Sequence, residues 1–504
     1  MAASLDQAPE MAQVKVVFTT TDENIQLPES KRQLIVPADI RRYGLSRILN
    51  SESMLATERP IPLDFLVDGA FLRSTLADYL RDSGLSGETT VTLQYVRSLI
   101  PPAFEASFQH DDWVSAVDVA PGRLLSGSYD GLLRLWNTSG HVTAVSPDAA
   151  HGGHTAGIKA ARFVTSSQIA SAGIDRTVRI WKAPVLENDA VDAMDTDTET
   201  IQLLRPTLEL YGHKASVDAV ATDSTARRVL TASADGQIGV WTTSKASAPA
   251  APESLLPGAA AAAAKRRKVA SSAPDVPRRG PLALIAAHKG QPATAVAFDP
   301  RDRTVAYSAG QDGAVATLDL TTGQVVATVA TSHALLSLCA VGSSSASGIA
   351  TTTSSSSPLL AVGNAARNIV LVDPRESVAT TAVMTLRGHV NKVVALAAAP
   401  DNSYSLVSAS HDGTCRIWDL RSSRRGLQDG DDDSQQPGLG AGPAVSEAVY
   451  VIDREGREGK ARPLAGEGVK VFDLVWDKTW GIVSGGEDKR VQINRGRDIV
   501  AQEA

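Results

Sequence analysis

One spaced pattern of residues occurs four times in this 504-residue chain. In each copy a His precedes a Ser or Thr, an Asp lies four residues after that hydroxyl, and a Trp lies six residues after the Asp. The copies are His110/Ser126/Asp130/Trp136, His154/Ser171/Asp175/Trp181, His213/Thr231/Asp235/Trp241 and His389/Ser408/Asp412/Trp418. A pattern repeated at intervals indicates a repeat architecture. A buried Asp needs hydrogen-bond donors, which imidazole, hydroxyl and indole groups supply, so we expect each set to form a bonded tetrad.

Three weaker copies complete the series. Asp312 follows Ser308, Asp488 follows Ser484, and Ala366 stands at the Asp position of the remaining copy. Successive positions are separated by 45, 60, 77, 54, 46 and 76 residues. The pattern resembles that of WD-repeat proteins, in which one blade takes about 40–45 residues. It predicts a mainly β fold with a seven-bladed propeller over 103–504, because a closed ring leaves no long exposed sheet edge. The sequence leaves two candidates for the strand that closes the ring: 497–502 and the segment after Pro102.

The first hundred residues follow a different plan. Residues 1–12 are expected to form a disordered tail. Alternating apolar residues predict strands at 14–19, 33–36, 61–67 and 90–96, and helical spacing predicts helices that start at Pro37 and Thr75. This order resembles a ubiquitin-like fold, so 13–98 is predicted to be a small α+β domain that Pro101-Pro102 separates from the propeller.

Four stretches interrupt the repeats. They lie near 185–200, which is acidic, 245–280, which is rich in Ala and Pro, 343–357, which is rich in Ser and Thr, and 423–447, which is rich in Gly. None has the apolar periodicity that would bury a core, so each is predicted to be a disordered surface insertion.

The sequence gives no support for catalysis. His, Ser and Asp recur at fixed offsets in several repeats, whereas an enzyme needs one triad, so the repetition favours a structural role. Neither a CxxC nor an HExxH motif occurs. We therefore predict no catalytic residue, no cofactor and no intrinsic metal. The net charge of −7 argues against a surface that binds nucleic acid throughout. No apolar run approaches the ~20 residues of a membrane span.

A compact basic cluster lies in the second insertion. It consists of Lys265, Arg266, Arg267 and Lys268, and Arg278 and Arg279 follow it. The spacing suits a one-part or two-part nuclear import signal, because an extended loop can lie in the acidic groove of an importin. Contact with RNA and a merely solvated basic patch remain alternatives.

Two features together narrow the family. Residues 41–50 read RRYGLSRILN and 60–80 read PIPLDFLVDGAFLRSTLADYL, and a KRRKV insertion interrupts the seven repeats that follow. This combination resembles the WD-repeat subunit of the pescadillo/block-of-proliferation (PeBoW) complex. The Notchless family shares the N-terminal domain but has eight repeats rather than seven.

The resemblance implies a non-catalytic assembly factor for the large (60S) ribosomal subunit, acting in pre-rRNA processing in the nucleolus and nucleoplasm of the nucleus. The propeller would bind the propeller of the block-of-proliferation protein, within one complex with the pescadillo protein, on 66S pre-ribosomal particles. The ubiquitin-like domain would bind midasin, an AAA ATPase that releases the factor. Glu88 matches the family's acidic residue that completes the coordination shell of a metal ion held by midasin, a role suited to a carboxylate.

An alternative is a WD40 adaptor of the ubiquitin pathway, where ubiquitin-like domains and propellers also occur. Residues 97–102 read RSLIPP and carry no Gly-Gly tail, so the small domain is not expected to be a conjugation tag.

Overall fold

The structure is a computed structural model that describes residues 13–57, 59–86, 89–184, 201–256, 276–341, 359–375, 383–422, 424–425, 444–455, 457 and 468–496. The chain forms two compact units whose main boundary falls between Pro101 and Pro102. The predicted tail 1–12 and the insertions 185–200 and 343–357 lie outside the described residues.

The first unit is one mixed sheet with two α-helices. Its strands lie in the order Gln33–Pro37, Gln13–Thr19, Val91–Arg97, Leu63–Val67 and Ala70–Phe71. The Gln13–Thr19 and Val91–Arg97 strands are parallel, and the other pairs are antiparallel. The unit also has two α-helices, α1 at Arg42–Leu49 and α2 at Leu76–Asp82, and two short 3-10 helices at Glu23–Ile25 and Glu29–Lys31. The predicted α+β class is confirmed, although α1 starts later than expected because Pro37 still belongs to a strand.

The core of this unit lies between the sheet and the helices. Alternate residues of the central strands, such as Val16 and Leu93, are fully buried with Leu45 of α1. The buried Tyr95 hydroxyl donates to the Ile25 carbonyl at 2.6 Å and so has a partner inside this core. The period-two burial explains why the sequence indicated these strands.

The second unit contains seven sheets among its described residues, and in each sheet four antiparallel strands follow one another outward. We number these blades in chain order. The strands are Val114–Ala120, Arg123–Ser128, Leu133–Trp136 and Val142–Val145 in blade 1; Ile158–Thr165, Gln168–Gly173, Val178–Lys182 and Arg205–Leu210 in blade 2; Val217–Asp223, Arg228–Ser233, Gln237–Thr242 and Ala283–Ala286 in blade 3; Ala293–Phe298, Val305–Gly310, Ala314–Asp319 and Gln324–Ala330 in blade 4; Leu335–Val341, Leu359–Asn364, Ile369–Val372 and Met384–Arg387 in blade 5; Val393–Ala398, Ser405–Ser410, Thr414–Asp419 and Tyr450–Asp453 in blade 6; and Val471–Asp477, Gly481–Gly486, Arg490–Arg495 and Ala103–Gln109 in blade 7. Short 3-10 helices lie at Ala149–His151 and Glu253–Leu255, and a two-residue strand lies at Arg424–Arg425.

Blade 7 closes the ring with a strand from the start of the propeller. Ala103–Gln109 pairs antiparallel with Arg490–Arg495, in a register that places Phe108 opposite Val491. Phe108 also stacks on Trp136 of blade 1, with ring centroids 5.1 Å apart. Of the two candidate segments, the one after Pro102 therefore supplies the closing strand, and 497–502 lies outside the described residues.

An ion pair reinforces this closure from inside. Arg162 of blade 2 donates to both carboxylate oxygens of Asp473 of blade 7, at 2.8 and 3.1 Å. The same guanidinium donates to the Val117 carbonyl of blade 1 at 2.6 Å. All three groups belong to first strands, which line a central cavity of about 140 Å³. The bidentate pair thus joins the two blades that flank blade 1.

Three blades have a fifth strand that the sequence did not indicate. Gln202–Leu203 pairs parallel with the outer strand of blade 1, Arg278–Arg279 with that of blade 2, and Ala444–Glu447 with that of blade 5. The prediction of disorder is therefore wrong for the ends of the insertions 245–280 and 423–447. These short strands cover outer edges that would otherwise present unpaired backbone groups.

Candidate functional site

Three of the four predicted tetrads form complete hydrogen-bond chains, and the set in blade 2 shows the arrangement. The indole of Trp181 donates to the Ser171 hydroxyl at 2.7 Å, and that hydroxyl bonds His154 Nε2 at 2.7 Å. His154 Nδ1 in turn lies 2.8 Å from Asp175 Oδ2. Each polar group has a partner, which is the condition for burying such a set.

The tetrad of blade 3 uses a threonine in place of the serine. The indole of Trp241 donates to Thr231 Oγ1 at 2.8 Å, and this hydroxyl bonds His213 Nε2 at 2.7 Å. The chain ends at Asp235, whose Oδ2 lies 3.3 Å from His213 Nδ1. The predicted equivalence of Ser and Thr therefore holds, because the hydroxyl is the part of either side chain that bonds.

The Asp of this set also binds backbone. Asp235 accepts from the amides of Lys214 and Gln237, at 2.9 and 3.0 Å. Burial acts to raise the pKa of Asp235, but the hydrogen bonds from His213 and these amides lower it to about 2. The Asp235 carboxylate therefore links, through hydrogen bonds, the turn after the second strand of blade 3 to the loop before its first strand.

The tetrad of blade 6 is the third complete set. The indole of Trp418 donates to the Ser408 hydroxyl at 2.8 Å, and this hydroxyl bonds His389 Nε2 at 2.7 Å. His389 Nδ1 lies 2.8 Å from Asp412 Oδ2. All four residues are buried, and burial lowers the pKa of His389. The set thus matches the predicted tetrad in every member.

The first set departs from the prediction. Asp130 pairs with Arg134 at 2.8 Å instead of His110, whose Nδ1 lies 3.2 Å from the Phe108 carbonyl. Ser126 still joins His110 and Trp136, each at 2.8 Å. Burial, helped by the charge of Arg134, lowers the pKa of His110 to about 4. The expectation that all four residues bond together is wrong here because Asp130 forms an ion pair with the Arg134 guanidinium and does not reach His110.

The sequence indicated the set of blade 4 only in part, and it missed the set of blade 7. In blade 4, His288 lies 3.0 Å from Ser308 and 3.0 Å from Asp312, and Leu318 occupies the Trp position. In blade 7 a buried Arg454 takes the place of the His.

The Arg454 side chain is 2% exposed and donates to both oxygens of Asp488, at 2.8 and 2.7 Å. It also donates to the Ser484 hydroxyl at 2.8 Å. The sequence pattern required a His, so it did not indicate this set. A signal was available, because Ser484 and Asp488 have the repeat's spacing but lack a His before them.

The complete tetrads are expected to contribute measurably to stability. Asp412→Ala removes the acceptor of His389 and of the Val390 and Thr414 amides, which bond it at 2.8, 2.9 and 3.0 Å. Leaving buried donors unpaired costs about 1–3 kcal/mol. Urea unfolding should show this loss for Asp412→Ala, while Asp401→Ala at an exposed position should change little. Equal unfolding midpoints for both variants would contradict a stabilising role.

A surface of aromatic rings lies on the face of the ring that carries the tetrad loops. The rings of Trp113, Tyr129 and Phe472 have centroids 5.7 to 6.2 Å apart, and His411 lies 5.5 Å from Phe472. The ammonium of Lys159 lies 5.3 Å from the Tyr129 centroid. We call these five residues the aromatic surface. They come from blades 1, 2, 6 and 7, so sequence spacing could not group them.

Lysines lie near the aromatic surface, and Lys470 pairs with Glu487 at 3.5 Å. Burial and the nearby charges of Lys392 and Lys470 lower the pKa of His411 to about 4, so its ring is neutral at pH 7. Trp113 leaves 39% of its surface exposed. Exposed aromatic rings beside cations are typical of protein interfaces rather than of catalytic sites.

Only some of the remaining predicted site residues fall within the described ranges. Glu88 and the cluster Lys265–Lys268 lie outside the described residues. Arg278 and Arg279 lie in the fifth strand of blade 2, where Arg278 Nε is 3.3 Å from Glu209 and Arg279 Nε donates to the Lys245 carbonyl at 3.3 Å. Within the described ranges, no group of three or more His, Cys, Asp or Glu side chains could hold a metal ion. The helices of those ranges include none long and apolar enough to span a membrane.

Comparisons with known proteins agree with this architecture. The NLE (NUC135) domain family matches residues 14–80. The family "WD domain, G-beta repeat" matches 104–137, 138–182, 204–242 and 380–419. A crystal structure of the WD40 β-propeller domain of Doa1 superimposes with a TM-score of 0.51 at 14% identity, covering 79% of this chain and 98% of that one, which supports the fold alone.

Full-length relatives decide the family. Ribosome biogenesis protein YTM1 of Chaetomium globosum is 59% identical, covering 97% of this chain and 98% of its own. The protein of the same name from Chaetomium thermophilum is 58% identical over the whole of both chains. The chain belongs to the YTM1 family of ribosome biogenesis proteins. Membership in the YTM1 family confirms the predicted class of ribosome biogenesis factor, and the matches to NLE and WD domains confirm the predicted fold class.

Proposed function

We propose that the chain is a non-catalytic assembly factor for the large (60S) ribosomal subunit. It acts in pre-rRNA processing as a subunit of the pescadillo/block-of-proliferation complex on 66S particles, and midasin releases it. The observation that carries this proposal is the full-length identity of 59% to a ribosome biogenesis protein. The tetrads support a scaffold, because their His, Ser and Asp side chains are consumed by bonds within the blades.

The aromatic surface is where the propeller would bind the block-of-proliferation propeller, and the pescadillo protein would join through that partner. Large aromatic side chains at the centre of an interface contribute most of its binding energy. Trp113, Tyr129 and Phe472 provide such a centre, and the lysines around them favour an acidic partner surface.

A matched pair of variants tests the binding surface. Trp113→Ala is expected to weaken binding of the full chain to the block-of-proliferation protein by roughly 30-fold or more, as for an interface hot spot of at least 2 kcal/mol. Phe104→Ala is the control, because Phe104 is 41% exposed, close to the 39% of Trp113, but lies on the outer strand of blade 7. Titration calorimetry measures both. Equal affinity of the two variants would rule out the aromatic surface as the docking site.

The basic cluster would bind importin and direct the chain to the nucleus, nucleolus and nucleoplasm. Changing Lys265, Arg266, Arg267 and Lys268 to Ala should move a fluorescent fusion toward the cytoplasm. Arg278→Ala/Arg279→Ala should leave the fusion nuclear if the cluster acts as a one-part signal, since both arginines lie in a short strand of blade 2. Nuclear accumulation of the fourfold variant, in cells that lack the block-of-proliferation partner, would show that the cluster is not the signal.

A further inference from the structure

The first unit contains a groove that the sequence did not indicate. An open groove of about 860 Å³ runs beside α1. Its lining consists of Arg41, Arg42, Tyr43, Ser46, Arg47, Asn50, Ser51, Pro60, Ile61, Pro62, Leu63 and Arg73. We call it the cationic groove.

The charge of the cationic groove is of one sign. Four arginines line it, and its described lining contains no Asp or Glu, although the whole chain has a net charge of −7. Arg42 is paired with Asp64 at 2.7 Å. Arg41 and Arg47 are exposed and, within the part of the chain that the structure describes, form no ion pair. Arg41 and Arg47 therefore give the groove positive charge at its surface, and the charge of Arg41 also acts on Asp78 and helps to lower its pKa.

An aromatic ring stands among these charges. Tyr43 is 79% exposed, which is unusual for a large side chain on a folded helix. It follows Arg41 and Arg42 directly, and Pro60, Ile61 and Pro62 form an apolar floor nearby. The N-terminal end of α1 lies at the same place, and its cap residue Arg41 makes no side-chain capping bond, so the positive end of the helix adds to the field.

We propose that the cationic groove binds single-stranded RNA. Arg41 and Arg47 contact phosphates, and Tyr43 stacks on a base. Binding of single strands combines a positively charged groove that follows the backbone with aromatic side chains that stack on bases. The exposed Tyr43 ring directly beside Arg41 and Arg42 suits a base stacked next to its phosphates, and this juxtaposition favours RNA over a segment that is acidic alone.

The test uses the full chain and a fluorescein-labelled oligouridine of about 12 nucleotides, a length within the range that single-strand sites cover. All proteins carry Ala at Lys265, Arg266, Arg267 and Lys268, so that this cluster does not contribute. Fluorescence anisotropy gives the dissociation constant between about 50 and 200 mM salt. No protein partner is present, so the result is independent of the proposed docking and release functions.

Three variants separate charge from stacking. Arg41→Ala/Arg47→Ala should weaken RNA binding tenfold or more and reduce the salt slope by about 1.4, at ~0.7 for each phosphate that is no longer neutralised. Tyr43→Ala should weaken binding roughly fivefold or more, whereas Tyr43→Phe, which keeps the ring, should bind like the parent. The control Lys31→Ala/Arg81→Ala removes the same charge at exposed positions of this unit that do not line the groove, and it should stay within about twofold.

Two results would overturn the proposal. The first is that the Arg41→Ala/Arg47→Ala and Tyr43→Ala variants, with unchanged circular dichroism, bind the oligouridine like the parent. The second is that the parent binds an oligoglutamate peptide more tightly than the oligouridine and loses that binding in Arg41→Ala/Arg47→Ala. That outcome would assign the groove to an acidic protein partner.

Discussion

Replacing Arg454 with alanine is expected to lower the free energy of unfolding of the propeller by about 3–5 kcal/mol, the usual cost of removing one partner of a buried ion pair. The guanidinium makes two bonds to Asp488, at 2.8 and 2.7 Å, and one to Ser484 at 2.8 Å. Its removal leaves the Asp488 carboxylate, which is mostly withdrawn from solvent, without its charged partner. The loss falls on blade 7, whose pairing with Ala103–Gln109 closes the ring.

Urea unfolding followed by tryptophan fluorescence measures this effect. All seven tryptophans lie between residues 113 and 480, so the signal reports the propeller and not the first unit. Arg495→Ala is the control, because its 3.1 Å pair with Glu105 joins the two strands whose pairing closes the ring but is partly exposed. The control should lose about 1 kcal/mol or less. A loss in Arg454→Ala no larger than in Arg495→Ala would show that blade 7 does not depend on this ion pair.

Replacing Glu88 with alanine is expected to abolish Mg²⁺-dependent binding of the chain to midasin. The family resemblance implies that its carboxylate would be the oxygen ligand that completes midasin's metal site, and a hard cation such as Mg²⁺ takes oxygen donors. Glu88→Asp shortens the side chain by one methylene and should impair binding too. Stability should change by no more than ~0.5 kcal/mol, as for most surface substitutions. In cells, the Glu88→Ala protein should join pre-ribosomes but not leave them, and so should block growth even beside a normal copy.

Pull-down of midasin with and without Mg²⁺ tests this assignment. Glu52→Ala is a suitable control, because Glu52 is an exposed carboxylate of the same unit. Binding of the block-of-proliferation protein should persist in both variants. Midasin binding by Glu88→Ala equal to that of the unmodified chain would rule out Glu88 as the ligand of the metal ion.

The sequence predicted the repeat architecture well because the tetrads depend on residue type and spacing. Asp175, Asp235 and Asp412 bond as expected, because each contacts the His of the preceding loop. Asp130 could not be predicted, because the choice between His110 and Arg134 depends on side-chain geometry. Arg454 was missed because it has the position of the repeat's His but not its residue type.

Other features depend on contacts between segments that are distant in sequence. Phe472 meets Trp113 only because the ring closes, so the aromatic surface has no sequence motif. The fifth strand formed by Arg278–Arg279 is too short to show an alternating pattern, and the same residues suggested an import signal instead. The sequence could indicate the cationic groove only in part. Arg41 and Tyr43 are near neighbours in sequence, but Arg73 joins them only through the fold.

Affinity purification of the full chain from cells, with the associated proteins and RNAs identified, tests the proposed assembly role most directly. Recovery of the block-of-proliferation and pescadillo proteins together with precursor RNA of the large subunit is the predicted result, and Trp113→Ala should lose the two proteins. Recovery of ubiquitin ligase subunits without pre-ribosomal RNA would contradict the role in large-subunit assembly and favour a ubiquitin-pathway adaptor.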